Sequence, residues 1–394
     1  MVRVLFFLFS FSVAIALGSV AIADSVTPND RIRNHLNVRD IAARDGARVI
    51  GKLRPGEKAN YLGQEAHWFK VRLANGTEGY VHKSWSRLIP SAPLAGGQKL
   101  ELHFMNVGQG DATLISCPNG QKILVDAGSL SGYSADDVRD YLLPLLTPVR
   151  KIDVLVITHP DQDHYNLLED VLGGVPVDFI YRVGEEDDYH SSFWKWLDKQ
   201  SATTKKLPSD YYDKTDAPNA KMECGAADIW IMAAGIKATA SRKNAMSITL
   251  MMRYGDFEAV LTGDATFDTE KVILQRYSKD WLNADVLKIG HHGSSTTSTG
   301  DDWLEAIKPE IAIASAEYKS RFAHPRKSVI ERLEPYTKEV APHAMHIGSG
   351  RQPNYTYTDT ENYTDGIYST ATNGNVIIRT DGSGYEITFG FSNP

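Results

Sequence analysis

The stretch THPDQDH at residues 158–164 constrains this chain more than any other. The apolar residues 153–157 before it predict a buried strand, and the apolar spacing over residues 165–172 predicts a helix after it. Imidazole and carboxylate ligands on so short a loop suit zinc, manganese or iron, and their number favours two ions over one. The alternative is a charged surface loop. The metal-binding side chains of the loop are His159, Asp161, Asp163 and His164.

The start of the chain has the features of an export signal. Residues 1–23 contain Arg3, then an apolar stretch, then Ala21 and Ala23 in an A-x-A pattern. This combination predicts a cleaved signal peptide and a secreted or periplasmic protein without stable membrane insertion. An uncleaved membrane anchor is the alternative, because the apolar stretch is nearly long enough to span a bilayer.

Charge and cysteine content exclude some classes of function. The formal net charge of the 394 residues is −7, which argues against a broad basic surface for nucleic acid but leaves room for a small local cationic site. The two cysteines, Cys117 and Cys224, are too few for a thiolate-rich metal site. They could form a disulfide in an oxidising compartment, or they could be two separate buried thiols.

Residues 28–90 are predicted to form a small β-barrel, because short alternating runs are separated by Gly and Pro turns. The order of these runs resembles the bacterial SH3-type domain. That family implies binding without catalysis, often to cell-wall peptide or glycan, and a simple spacer is the alternative. A Pro- and Gly-containing linker at 91–97 separates it from a second domain at 98–394. The runs are LNVR at 36–39, VIGKL at 49–53, WFKV at 68–71 and GYV at 79–81.

The second domain alternates predicted strands with predicted helices, which indicates a layered α/β fold. Between them, residues 185–243 are predicted to be polar and irregular apart from a helix at 191–199. The other predicted strands are 100–107, 112–116, 122–125, 247–254, 257–262, 285–289 and 309–315, with a hairpin at 375–379 and 385–389. The other predicted helices are 135–146, 269–277 and 327–333.

Several polar motifs directly follow apolar strands, so we expect them to meet at one sheet edge. Together they resemble the metallo-β-lactamase superfamily, and within it the hydrolase domain of bacterial competence-type DNA-uptake proteins. The resemblance implies a four-layer αββα fold and a metal-dependent hydrolase. The motifs are NVGQGD at 106–111, LVDAG at 124–128, THPDQDH at 158–164, LTGD at 261–264, DVLKIGHHGSS at 285–295 and HP at 324–325.

The resemblance also implies a ligand set for two divalent ions, zinc or manganese. The sequence departs from the superfamily pattern where Asp161 replaces the second histidine of H-x-H-x-D-H. No histidine lies between His190 and Asp264, and residues 244–247 occupy the place of that ligand. We therefore expect a weak first site and some preference for manganese. The implied ligands are His159 and Asp161 for the first ion, Asp163 and His164 for the second, Asp264 between them, and either His291 or His292, with His291 slightly favoured.

These residues predict chemistry that depends on charge. A metal lowers the pKa of bound water to about 7 and offsets negative charge on a phosphoryl or acyl oxygen. Asp163 is predicted to orient the resulting hydroxide or to carry a proton. Asp111 and Asp126 are predicted to orient ligand histidines, with turn capping as the alternative.

Three further residues are predicted to contact the substrate. Lys288 and Ser294 would hold an anionic group, with a surface ion pair and a loop cap as the respective alternatives. His324 would reach the mouth of the site, although a histidine near a helix start is often structural.

The function predicted from these motifs is an exported hydrolase that uses metal-bound hydroxide on a phosphodiester, with nucleic acid as the leading substrate by resemblance. One alternative keeps the fold and changes the substrate to a cell-wall phosphoester, such as teichoic-acid decoration, a lactone or a β-lactam. Another is a cell-wall-binding protein whose hydrolase domain has lost turnover, which the missing histidine keeps open.

Overall fold

The structure is a computed structural model. The predicted signal at 1–23 and the predicted linker at 91–97 lie outside the residues that it describes. Within the described part of the chain, no helix combines the length and apolar character needed to cross a bilayer. The structure describes residues 25–28, 32–44, 46–65, 68–82, 85–89, 99–131, 134–147, 149–200, 203–214, 221–238, 242–351 and 354–390.

The first domain is one antiparallel sheet with its own core, which includes the fully buried Val38, Val71 and Val81. The first and last strands pair with each other and were not predicted, because each has only four residues and their pairing is long-range. The first strand also begins upstream of the predicted boundary at residue 28. The strands are β1 (Ser25–Pro28), β2 (Leu36–Arg39), β3 (Val49–Leu53), β4 (Ala59–Glu65), β5 (Trp68–Arg72), β6 (Glu78–His82) and β7 (Ser86–Ile89), in the order β3-β2-β6-β5-β4-β1-β7.

The second domain contains two large sheets, a long hairpin and helices. Its strands are β8 (Leu100–Phe104), β9 (Thr113–Ser116), β10 (Lys122–Val125), β11 (Ile152–Ile157), β12 (Val177–Arg182), β13 (Thr203–Lys206), β14 (Lys221–Cys224), β15 (Ala227–Ala233), β16 (Thr249–Tyr254), β17 (Phe257–Leu261), β18 (Val286–Lys288), β19 (Ile311–Ala314), β20 (Glu339–Arg351), β21 (Asn354–Asp365), β22 (Ile367–Ser369), β23 (Asn375–Thr380) and β24 (Tyr385–Gly390). Its helices are α1 (Ala135–Leu145), α2 (Gln162–Tyr165), α3 (Leu168–Leu172), α4 (Ser191–Asp198), α5 (Arg242–Ala245), α6 (Phe267–Arg276), α7 (Lys279–Leu282), α8 (Asp301–Ile307), α9 (Lys327–Leu333) and α10 (Thr370–Asn373).

The two sheets face each other and helices cover their outer faces. The first sheet has the order β13-β12-β11-β10-β9-β8-β23-β24, and the second has the order β14-β15-β16-β17-β18-β19-β22. One core cluster joins Leu102 of the first sheet to Leu250 and Ile313 of the second. A second cluster joins the first sheet to α1, α3 and α4, and a third joins the second sheet to α6–α9. The predicted αββα arrangement is therefore confirmed.

A disulfide connects the two sheets. Cys117 follows β9 and Cys224 ends β14, and their Cα atoms are 5.0 Å apart. The structure thus has the paired state of the two cysteines and not two separate thiols. The bond closes a sequence separation of 107 residues and holds the edge hairpin of the second sheet against the first.

Several elements differ from the predictions or were missed, among them β12, β22, α7 and α8. Residues 185–243 contain β13–β15 as well as α4, and the apolar run within β15 was the missed signal. The predicted helix at 165–172 is two short helices, α2 and α3, because the chain turns between them to pack on residues 127–129. The hairpin of β20 and β21 was missed because its polar, Thr- and Tyr-rich sequence lacks an apolar face.

Candidate metal centre and active site

The polar motifs meet at one edge of the paired sheets. Asp126 follows β10 and residues 158–164 follow β11, and these two strands are parallel neighbours. Asp264 follows β17 and His292 follows β18, which are parallel neighbours in the other sheet. The carboxyl ends of parallel strands lie at the same edge, so each sheet contributes side chains to one cluster.

Two glycines allow the 158–164 turn to lie against its neighbours. A Cβ atom on Gly128 would come within 2.3 Å of the Asp163 carbonyl carbon, and one on Gly110 within 2.7 Å of the Asp163 carbonyl oxygen. The turn is held there by the Asp111 N–H, which donates to the Asp163 carbonyl at 3.0 Å. The NVGQGD and LVDAG motifs therefore form the surface on which the ligand loop sits.

Asp264 lies at the centre of the cluster. Its Oδ1 is 3.3 Å from His164 Nε2, and its Oδ2 is 3.3 Å from His292 Nε2. The same Oδ2 is 3.9 Å from His159 Nε2. The position of Asp264 between residues of both predicted sites is the position a bridging carboxylate needs.

Three overlapping groups of side chains have ligand atoms that lie within 4.8 Å of one another, and all three include His164. Two of them contain residues of the predicted ligand set only: His159, His164 and Asp264, and Asp163, His164 and His292. The third group joins His164 to Asp111 and Asp126. The buried atoms His159 Nε2, His164 Nε2, His292 Nε2 and Asp264 Oδ1 have no hydrogen-bond partner among the described residues. Buried polar atoms without partners are rare and costly. Their convergence, with nitrogen and oxygen donors, fits divalent metal ions.

Neighbouring groups fix the orientation of two of these rings. His164 Nδ1 donates to Asp126 Oδ2 at 2.8 Å, and His292 Nδ1 donates to the Ser315 carbonyl at 2.8 Å. Asp126 also accepts hydrogen bonds from the N–H and hydroxyl of Thr158. Because each Nδ1 is engaged in this way, each Nε2 is the ring nitrogen left to face the cluster and to bind an ion. Asp126 thus has the geometry predicted for a histidine-orienting carboxylate.

His292 lies deeper in the cluster than His291, the histidine slightly favoured from the sequence. Its side chain is 1% exposed, whereas that of His291 is 23% exposed. His291 Nε2 lies 3.8 Å from Asp264 Oδ2 and close to the Asn244 amide. Both histidines have positive φ in the turn after β18, a local geometry that the sequence does not reveal.

Asp161 lies between the cluster and Lys243. Its Oδ2 is 3.7 Å from His159 Nε2, while its Oδ1 is 3.7 Å from Lys243 Nζ. The side chain is 34% exposed. Lys243 and Asn244 line the pocket with Asp161. Asn244 belongs to the segment expected in place of the missing histidine, whereas Lys243 was not singled out from the sequence because a lysine has no metal-binding signature.

Lys288 and Asp111 are placed differently from their predicted roles. Lys288 Nζ lies 2.6 Å from Asp111 Oδ2, and both side chains are buried. Asp111 also accepts a hydrogen bond from the Ser315 hydroxyl. The ammonium group therefore faces a carboxylate inside the protein instead of the substrate. Asp111 pairs with this lysine and also lies within 4.8 Å of a ligand atom of His164. Ser294 is also buried.

Burial and the neighbouring histidine rings act in opposite directions on the pKa values of two carboxylates, Asp264 and Asp163. Burial raises the pKa of Asp264, but the His292 and His164 rings outweigh this effect and hold it well below its usual value. Burial likewise opposes ionisation of Asp163, yet the His292 and His164 rings beside it lower its pKa to about 2. These carboxylates therefore stay ionised at neutral pH, as metal ligands must be.

A pocket of about 570 Å³ opens beside the cluster. His324 lies at this side of the site, with its ring 6.1 Å from that of His291 and 6.3 Å from that of His292. It is 7% exposed, so its access to a substrate is narrow. The pocket is lined in part by Asp161, Asp163, Asp187, Asp188, Lys243, Asn244 and Phe322.

Two family models match the chain. The bacterial SH3 domain matches residues 34–87, and the metallo-beta-lactamase superfamily matches residues 105–222. These matches confirm the two resemblances drawn from the motifs.

Three curated relatives show the same similarity. ComE operon protein 3 of Bacillus subtilis is 27% identical over 260 residues, which cover 61% of this chain and 31% of that protein. Competence protein ComA of Neisseria gonorrhoeae is 27% identical over 236 residues (58% and 28%). Recombination protein 2 of Haemophilus influenzae is 29% identical over 250 residues (61% and 27%). The chain spans about three tenths of the length of these relatives.

Proposed function

We propose that this chain, which matches the metallo-beta-lactamase superfamily over residues 105–222 and the bacterial SH3 domain over residues 34–87, is an exported hydrolase that cleaves phosphodiester bonds with two divalent metal ions. One observation carries the proposal. Buried, unpartnered nitrogen and oxygen atoms from four residues converge at one sheet edge, beside a pocket open to a substrate.

The proposed ligands divide into two sets that meet at Asp264. His159 and Asp264, with Asp161 at the rim, would hold one ion, and Asp163, His164 and His292 would hold the other. Ions bound there would acidify water and offset negative charge on a phosphoryl oxygen. Asp163 stays ionised and lines the pocket, so it can accept a hydrogen bond from the attacking water and orient it.

The first of these sites is proposed to be the weaker one. Lys243 lies as close to Asp161 as His159 does, and a cation next to a ligand carboxylate opposes metal binding. Asn244 supplies an amide where the family pattern has an imidazole, and it contacts His291. These contacts support partial occupancy of the first site and some preference for manganese.

Nucleic acid is the first substrate proposed, since the relatives are named as competence and recombination proteins. A cell-wall phosphoester, such as teichoic acid, is the second candidate, because the SH3 domain supports a location at the cell wall. Lactones and β-lactams remain alternatives on the same fold. A cell-wall-binding protein with little turnover is the alternative outside enzymes.

A metal-supplemented activity screen tests the proposal. The full chain, loaded with manganese or zinc, is assayed on single-stranded DNA, bis-p-nitrophenyl phosphate, teichoic acid and a β-lactam. We expect turnover of the phosphodiesters that Asp163→Ala abolishes and that Asp170→Ala, at an exposed position on α3, retains. Turnover of the lactam alone, or none with any substrate, would overturn the proposal.

A further inference from the structure

A short surface segment beside the metal cluster combines aromatic rings with cations. We call it the basic-aromatic strip, and it consists of Tyr318, Lys319, Arg321 and Phe322. Lys319 Nζ lies 4.8 Å from the centre of the Tyr318 ring, and Arg321 Cζ lies 4.7 Å from that of Phe322. Arginine on an aromatic face forms a flat cationic platform.

The strip leads directly to the cluster. The Phe322 ring stacks on that of His324 at 5.7 Å with an interplanar angle of 18°, and His324 stacks in turn on His292 at 6.3 Å. Phe322 also lines the pocket together with Asp264. A group bound on Phe322 is therefore one side chain away from the proposed ligands.

The hairpin of β20 and β21 holds the strip in place. The Gly348 N–H donates to the Pro325 carbonyl at 2.9 Å, and the Tyr318 hydroxyl donates to Asp359 at 2.8 Å. A Cβ atom on Gly348 would lie 1.9 Å from the Ala323 carbonyl oxygen, so the backbones touch. Lys319 and Ala323 both have positive φ, a conformation that persists only when its surroundings enforce it. The strip is thus preorganised, which lowers the entropic cost of binding.

The strip cations are available to an anion. Lys319 and Arg321 are exposed, and neither forms an ion pair with any residue the structure describes. The pocket is also lined by Asp187, and by Asp188, whose charge is offset by the Arg242 guanidinium. A polyanion is therefore repelled by Asp187 and attracted by the strip.

We propose that the basic-aromatic strip positions a single-stranded nucleic acid at the metal cluster. This inference rests on the proposed function, because it concerns the substrate of that same site. Lys319 and Arg321 would bind phosphates next to the scissile one, and Phe322 would stack on a base. Stacking on aromatic residues and backbone contacts to cations are how proteins bind single strands without sequence preference. The basic-aromatic strip would thus be a local cationic site in a chain whose net charge is −7.

Binding of a slowly hydrolysed strand separates this inference from the proposed function. The metal-loaded full chain is titrated into a fluorescein-labelled phosphorothioate oligothymidylate, and anisotropy reports the dissociation constant. We expect Arg321→Ala and Lys319→Ala each to weaken binding severalfold and to reduce the salt dependence, by about 0.7 in the slope of log affinity against log salt for each phosphate that is no longer neutralised. We expect Phe322→Ala to weaken binding about tenfold.

A strand without bases tests the stacking. Phe322→Ala should not change binding of an abasic deoxyribose-phosphate strand of the same length, whereas Arg321→Ala should weaken it as well. Equal loss on both strands with Phe322→Ala would overturn the choice of nucleic acid in favour of a polyol-phosphate polymer.

Matched variants control for surface changes. Arg150→Ala removes an exposed arginine before β11, about 17 Å along that strand from the ligand loop, and Phe389→Ala removes an exposed phenylalanine on β24. Neither should change binding. If the strip variants bind the strand as well as these controls do, the inference fails even if the protein hydrolyses phosphodiesters. If binding depends on the strip but the strand is never cleaved, the proposed function fails alone.

Discussion

Lys288 Nζ lies 2.6 Å from Asp111 Oδ2, and neither side chain is more than 3% exposed. Asp111 also accepts a hydrogen bond from the Ser315 hydroxyl, and the Ser315 carbonyl accepts one from His292. The Lys288–Asp111 pair therefore joins the end of β18 to the turn after β8. Through Ser315 it is connected to His292 of the cluster.

We expect Lys288→Met to lower the free energy of unfolding by about 3–5 kcal/mol, because it leaves the Asp111 carboxylate buried without its partner. The double variant Lys288→Met with Asp111→Leu should be destabilised less than the single variant, since no buried charge remains. Denaturant unfolding measures both. A stable Lys288→Met protein with a raised KM for substrate would instead return Lys288 to the anion-binding role that its sequence position predicted.

We expect Asp264 to matter more to turnover than His324. Asp264→Asn should lower kcat about a thousandfold or more, because the carboxylate lies between both groups of ligands. His324→Ala should lower kcat about ten- to a hundredfold, since the His324 ring stacks on a ligand ring but belongs to none of the described ligand groups. Both variants are assayed on one substrate with metal content checked. Metal loss in His324→Ala, with full activity in Asp264→Asn, would show that the site is assigned wrongly.

Glu270 on α6 should make stability depend on pH. Burial raises its pKa to about 7, even though it accepts hydrogen bonds from the Thr299 and Gly300 N–H groups. The folded state then binds this proton more tightly than the unfolded state, whose value is near 4.5. The Glu270 contribution to stability therefore falls as pH rises from 4.5 to 7, by about 3 kcal/mol in total.

The variant Glu270→Gln isolates this effect. Between pH 5 and pH 8, the free energy of unfolding of the wild type should decrease relative to that of Glu270→Gln. Denaturant unfolding of both proteins at the two pH values measures this difference. Equal changes in the two proteins would mean that Glu270 keeps an ordinary pKa.

The SH3 domain should be dispensable for hydrolysis. Its core consists of its own residues, such as Val26, Val71 and Val81, and the described metal-binding groups all lie in the second domain. Deleting residues 25–90 should leave turnover of a small phosphodiester within a few-fold while reducing binding to cell-wall preparations. A substitution of the core residue Val71 is not an equivalent test, because it would leave an unfolded domain attached to the hydrolase domain. A loss as large as that of Asp163→Ala would show that the SH3 domain helps to build the active site.

The sequence was most informative where chemistry and local pattern coincide. Apolar strands followed by His and Asp motifs predicted both the fold and the meeting of Asp126, His164 and Asp264 at one edge. Asp126 could be placed because its short side chain follows a strand directly beside the one that ends at the ligand loop.

What the sequence could not show depends on long-range contacts and on backbone angles. The choice between His291 and His292 could not be made from the sequence, because both lie in a turn with positive φ and only the structure shows that His292 is buried while His291 is 23% exposed. The partner of Lys288 could not be predicted, since Asp111 is far from it in the chain. Phe322 was missed because a single aromatic residue has no signal until the pocket it lines is known.

The most direct test of the account is the metal content of the full chain, measured by elemental analysis after loading with manganese or zinc and removal of free ion. We predict bound metal in the wild type and in Asp170→Ala, and a clear loss in Asp163→Ala. Asp163 lies in the described ligand group with His164 and His292, whereas Asp170 is an exposed residue of α3. Equal metal in Asp163→Ala and wild type, or none in the wild type, would contradict the claim that this sheet edge is a metal centre.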